Sequence, residues 1–178
     1  PSGRLPESFP FSHMDCPAHC IGEFPGGKTV AYREGIFVGY RYYETRQMPV
    51  AFPFGYGLSY TEFTYERLKA RVKGNGNGAK VQVTLGVVNT GAMKGKEVVQ
   101  LYVGRKNSGE DRPIRELKAF DKISLKPGEI KNLEFMLDME AFSYYDEKEK
   151  EFRVEKGAYI ISVCRSAHEV WMETEVEL

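Results

Sequence analysis

No run of this 178-residue sequence stays apolar for the roughly 18 residues that a membrane-spanning helix needs, so a membrane is not among the partners it suggests. An excess of charge is also missing. Lys+Arg and Asp+Glu both number 25, which removes the electrostatic case for nucleic acid or an anionic lipid surface. Cysteine is scarce: Cys16, Cys20 and Cys164 are an odd trio that makes no disulfide scaffold and favours a reducing, cytoplasmic setting. Neither a start methionine nor a signal-peptide pattern precedes Pro1-Ser2-Gly3, so the chain reads as an excised piece of a longer product.

What is present divides into two halves. Hydrophobic residues make up 42% and charged residues 28%, a balance that can build a packed core. Residues 1–57 carry most of the nine prolines and nearly half of the aromatics, but only one stretch there, Gly35 to Tyr43, has strand composition. A lone strand leaves its backbone groups unpaired. Each large apolar side chain left in water forgoes roughly 1.5–3 kcal/mol. The predicted strand over residues 36–43 is therefore expected to pair with the following domain or, through self-association, with a second copy of the chain.

From residue 58 the pattern turns regular. Phe63, Tyr65, Leu68, Ala70 and Val72 predict a strand with one slip in register, and Val81, Val83, Leu85 and Val87 one with a single buried face. Further strands are expected around Val99–Val103, Leu117–Leu125, Leu133–Leu137, Tyr159–Val163 and Val170–Val176. Pro127-Gly128 and Lys156-Gly157 mark turns between them. Asp138 to Asp146 reads as a short helical turn with Asp138 as N-cap. About seven short strands without a long helix give an all-β fold, an immunoglobulin-like or fibronectin type III-like β-sandwich over residues 58–178. The Cys…Trp…Cys spacing of true immunoglobulin domains is missing, which favours the fibronectin-like form.

Few residues invite chemistry. His13, Cys16, His19 and Cys20 are zinc-type donors within eight residues, but they lack the second separated pair that a tetrahedral site uses, so an ordinary loop is the expectation. The carboxylates of Asp146–Glu151 alternate with lysines, as a solvated hairpin tip does. Gly74–Gly78 lacks the lysine and following helix of a phosphate loop. No catalytic, cofactor-binding or metal residue is assigned, and no cofactor is expected. Tyr40, Tyr42, Tyr43, Phe52, Phe54, Tyr56 and Tyr60 remain as aromatics that either seal an interdomain joint or stack on sugar rings, the joint being preferred.

Those aromatics belong to motifs with a specific resemblance. Phe52-Pro53-Phe54-Gly55-Tyr56-Gly57-Leu58-Ser59-Tyr60-Thr61 resembles the signature at which family 3 glycoside hydrolases enter their C-terminal fibronectin type III-like domain. Ser2–Pro6 with Phe9-Pro10, Glu34–Tyr43, Asn89-Thr90-Gly91, Gly95–Val103, Arg112-Pro113, Leu117–Phe120 and Pro127-Gly128-Glu129 resemble further stretches of that family, in its order. Glu7-Ser8 and Ala119 are small departures.

The resemblance implies that residues 1–57 are the tail of a preceding α/β sandwich domain plus a linker. It implies a parent that hydrolyses β-linked glycosides with retention, using two carboxyl groups about 5 Å apart. In the family these lie on the barrel and the α/β domain, and none of Asp15, Asp111, Asp121, Asp138 and Asp146 follows a serine as the nucleophile commonly does. The leading expectation is a non-catalytic domain that braces the barrel and α/β domains of a β-glucosidase-like parent, meeting carbohydrate substrate only through it. The alternatives are a carbohydrate-binding module and a free-standing interaction module.

Overall fold

The computed structural model describes residues 1–20, 22 and 24–178. Seven strands form two antiparallel sheets. One sheet has the order β1-β2-β5, with β1 at Phe63–Lys73, β2 at Lys80–Asn89 and β5 at Ile130–Asp138. The other has the order β4-β3-β8-β9, with β3 at Gly95–Arg105, β4 at Glu116–Leu125, β8 at Ala158–Cys164 and β9 at Val170–Glu177. A separate hairpin, β6 (Ser143–Asp146) with β7 (Glu151–Val154), stands off the pair. Three strands facing four is the all-β sandwich of the fibronectin-like kind.

The core lies between the sheets and follows the alternation of the sequence. Val81, Val83, Leu85 and Val87 of β2 meet Val99, Leu101 and Val103 of β3, with Ile123, Leu125, Ile161 and Val163 completing the layer. Every one of these side chains is buried. The register slip expected in β1 is a bulge between Glu66 and Lys69, where Arg67 takes φ 56°. At the sandwich's end, buried Asn89 accepts from the Thr61 hydroxyl at 2.7 Å and donates to the carbonyls of Met93 (2.8 Å) and Leu125 (3.0 Å). A fully buried amide is tolerable because its donors and acceptor are all used.

Two expectations are corrected. The stretch from Gly35 to Tyr43 is not a strand: residues 33–36 turn, and helix α2 (Tyr40–Thr45) follows Gly39 at φ 55°. Strand composition loses here to helical spacing, because Tyr40, Tyr43 and Glu44 fall on one face and all pack inward. No strand edge at 36–43 is therefore present to pair with a second copy. The helical turn after Asp138 covers only Met139–Phe142, and residues 143–146 are β6 instead. Asp138 makes no side-chain cap and pairs with Lys80 at 2.8 Å. Phe142 fixes that segment, buried edge-on against Tyr159, whose hydroxyl donates to the Phe142 carbonyl at 3.1 Å.

Candidate functional site at the arm–sandwich seam

In the N-terminal arm, residues 1–57, Tyr40 and Phe54 pack over Tyr102 and Cys164 on the outer face of the β4-β3-β8-β9 sheet, and the seam starts from a two-stranded crossing within the arm itself. Phe9 and Phe52 bridge antiparallel, the Leu5 N–H donates to the Tyr56 carbonyl at 2.8 Å, and Gly55 returns the bond to Leu5 at 2.8 Å. This brings the Gly55 backbone against β3. At φ 80° it has no room for a side chain, since a Cβ there would stand 2.1 Å from Gln100 Oε1.

Gln100 is the centre of the joint. Its Nε2 donates to the Gly55 carbonyl at 3.1 Å and to the Arg165 carbonyl at 2.7 Å, while its Oε1 accepts from the Tyr102 hydroxyl at 2.9 Å. Tyr102 is fully buried and meets the Tyr40 ring edge-on at 5.8 Å; Tyr40 in turn stacks on Phe54 at 4.8 Å. The Leu117 N–H donates to the Tyr40 hydroxyl at 2.9 Å, so α2 is tied to β4 as well as to β3. Burial holds the Tyr102 phenol protonated, far above its usual range, and burial lifts the neighbouring Cys164 thiol to about 12.

Ion pairs close the two ends. At one end Arg4 of the arm reaches buried Glu97 at 2.5 Å and donates to the Gly57 carbonyl at 2.9 Å. Glu97 also accepts from the Tyr65 hydroxyl at 2.6 Å, and burial together with that carboxylate raises the Tyr65 phenol. At the other end Glu44 of α2 pairs with Arg115 at 3.0 Å, and Arg115 Nε donates to the Ala167 carbonyl at 3.1 Å. Removing one member of such a pair strands a buried charge, which is costlier than the pair's net worth.

The seven aromatics singled out from sequence separate into groups. Tyr40 and Phe54 meet in the seam. Tyr43 is buried on α2 beside Tyr42, with ring centroids at 5.7 Å. Burial raises the Tyr43 phenol, with Cys16 adding to the effect. Tyr56 lies tilted against Phe52 at 5.3 Å, half-buried. Phe52 is 46% exposed and Tyr60 79% exposed, pointing away from the sandwich. His13, Cys16, His19 and Cys20 lie on a 3-10 turn and the short helix α1 (Pro17–Cys20), and no side-chain group able to hold a metal is found among the described residues.

Gln100, Tyr102, Glu44 and Arg115 are seam residues that alternation did not single out. The available signal was the run Val98-Val99-Gln100-Leu101-Tyr102-Val103, too continuously large for a strand with a wet face. A cavity of about 420 Å³ opens where the arm meets the sandwich's edge, lined by Arg4, Tyr56–Ser59, the start of β1, Glu97 and the β8–β9 turn with Trp171.

Comparison with known proteins follows the same outline. The family described as Fibronectin type III-like domain matches residues 97–167. The chain is 42% identical to Thermostable beta-glucosidase B of Acetivibrio thermocellus, over all of this chain and 23% of that protein. It is 40% identical to Beta-glucosidase B of Emericella nidulans, over all of this chain and 22% of that one. Among solved structures, the Bifidobacterium adolescentis GH3 beta-glucosidase superposes with a TM-score of 0.91 at 38% identity, covering 100% of this chain and 26% of that one. The beta-glucosidase of Kluyveromyces marxianus in complex with glucose gives 0.90 at 41%, covering 99% and 21%. The chain thus spans about a quarter of these relatives, in each of which the matching region is one part of a larger protein.

Proposed function

The chain is a fibronectin type III-like domain with its N-terminal arm, of the kind carried by family 3 β-glucosidases, and on that premise we propose that it braces the catalytic domains of a retaining β-glycosidase without taking part in the chemistry. The carrying observation is the two-sidedness of the arm. Its inner side is fastened to the sandwich through Gln100, Tyr102, Glu97 and Arg115. Its outer side leaves Phe11 71% and Tyr32 87% exposed, and just beyond the arm Leu58 and Tyr60 are 64% and 79% exposed. Apolar surface of that extent on a rigid base suits burial against a neighbouring domain.

In this reading residues 1–57 belong to the adjoining α/β domain, residues 58–178 are the buttress, and Tyr40, Phe54 and Tyr56 seal the joint. The seam's carboxylates support a holding role, since Glu97 and Glu44 are each paired with an arginine. The partners are then the α/β domain and the barrel, with β-glucoside substrate met only by them.

Hydrolysis of an aryl β-glucoside tests the reading. The 178-residue chain is expected to release no aglycone, while the intact enzyme carrying it turns over; release by the chain alone would sink the proposal. Phe11→Ala and Tyr60→Ala give a second arm to the test. Each should change the stability of the isolated chain by no more than about 0.5 kcal/mol, yet lower the melting temperature of the intact enzyme. An intact enzyme that melts unchanged would also count against it.

A further inference from the structure

We propose that the cavity between the arm and the sandwich's edge is a binding site for one ring of a neutral, polyhydroxylated ligand, a saccharide unit, and that Trp171 reports its occupancy. At about 420 Å³ the space lies within the range of small-molecule sites. Its walls are preorganised from both sides of the seam. Arg4 is held by Glu97 and by the Gly57 carbonyl. Arg165 lies over the Trp171 ring at 4.0 Å and donates to the Phe63 carbonyl, which fixes both the guanidinium and the indole at the mouth. The Arg4 Nε is buried without a partner, a donor left over in the wall.

The choice of a neutral polyol follows from the donor and acceptor set. Two guanidinium groups, Arg4 and Arg165, are outnumbered by three carboxylates, Glu62, Glu97 and Glu169, so an anion meets net repulsion. Glu169 is 53% exposed, and among the described residues its carboxylate approaches only Arg165, at 3.5 Å. It can therefore accept from ligand hydroxyls, and the hydroxyls of Ser59 and Thr64 in the same wall can donate or accept. Trp171, with Arg165 over its ring and Tyr65 tilted against it at 5.8 Å, still keeps 38% of its surface exposed, and that part offers apolar contact to the C–H groups of a pyranose. The site shares Tyr56 and the Arg4–Glu97 pair with the seam, but Tyr40, Phe54, Gln100 and Arg115 lie outside it, so a failure to bind would leave the bracing role untouched.

The chain has a single tryptophan, so its intrinsic emission reads this cavity without a label. Titrating the 178-residue chain with glucose, xylose and cellobiose should give a saturable change in emission, with a dissociation constant on the order of millimolar. Titration calorimetry supplies a readout that does not depend on the indole. Glu169→Gln should weaken binding by at least about threefold while leaving the thermal midpoint unchanged. A strictly linear response, equal affinity in Glu169→Gln, or binding of glucuronate in preference to glucose would each overturn the assignment.

Discussion

Gly55 and Gln100 meet where the arm's backbone presses on β3, and a single methyl group is enough to disturb that contact. In Gly55→Ala the new Cβ would sit 2.1 Å from Gln100 Oε1 at a φ of 80°, so both the backbone and the amide must move. A loss of about 2–4 kcal/mol is expected, read as a lower urea midpoint with an unchanged slope. Tyr102→Phe is gentler. It removes the hydroxyl that donates to Gln100 Oε1 and leaves that oxygen buried with one donor fewer, at a cost of about 1–2 kcal/mol. Cys164 is a third case at this scale: with its thiol pushed up to about 12 by burial, it should resist a thiol reagent at pH 8 while Cys20, on the surface, reacts at once. Mass spectrometry of the labelled chain distinguishes the two.

Elements differ in how far their residues announce them. The inner faces of β2 and β3 could be read by alternation, because Val81–Val87 and Val99–Val103 each bury one side against the other sheet. The outer face of β3 could not. Alternation places Gln100 and Tyr102 toward water, yet both are buried, because a separate segment of the same chain covers them. That cover is a long-range fact with no periodicity of its own. The same cause turned residues 40–43 from strand to helix: their β propensity is local, whereas the pull of Phe54, Tyr102 and Arg115 on one face of the helix is not. The bulge in β1 was legible because the hydrophobic pattern itself slips by one residue there. The seam's ion pairs, Arg4 with Glu97 and Glu44 with Arg115, join positions too far apart in sequence for spacing to reveal them.

For the molecule as a whole, the buried hydroxyl and thiol groups set an alkaline limit. Tyr65, Tyr102 and Cys164 keep their protons in the folded chain well above the values near 10 and 8.5 that they regain on unfolding. The folded state then binds more protons than the unfolded state, so the stability these groups contribute is fully present below about pH 8.5 and is lost as pH rises beyond it. Urea unfolding at pH 10.5 should show at least about 2 kcal/mol less stability than at pH 8; equal values would mean that these groups are open to solvent. Deleting residues 1–57 tests the cover itself, since Tyr40 and Phe54 lie over Tyr102 and Cys164. The shortened chain should bind a hydrophobic dye and expose Cys164 to labelling. The hydrogen bonds across the joint have a further consequence, because many of them end on main-chain groups: the carbonyls of Gly55 and Phe54 and the N–H groups of Ile114, Leu117 and Ala167. A fastening that grips peptide groups places few demands on the side chains around it. The arm's outward side chains can thus change without loosening the joint.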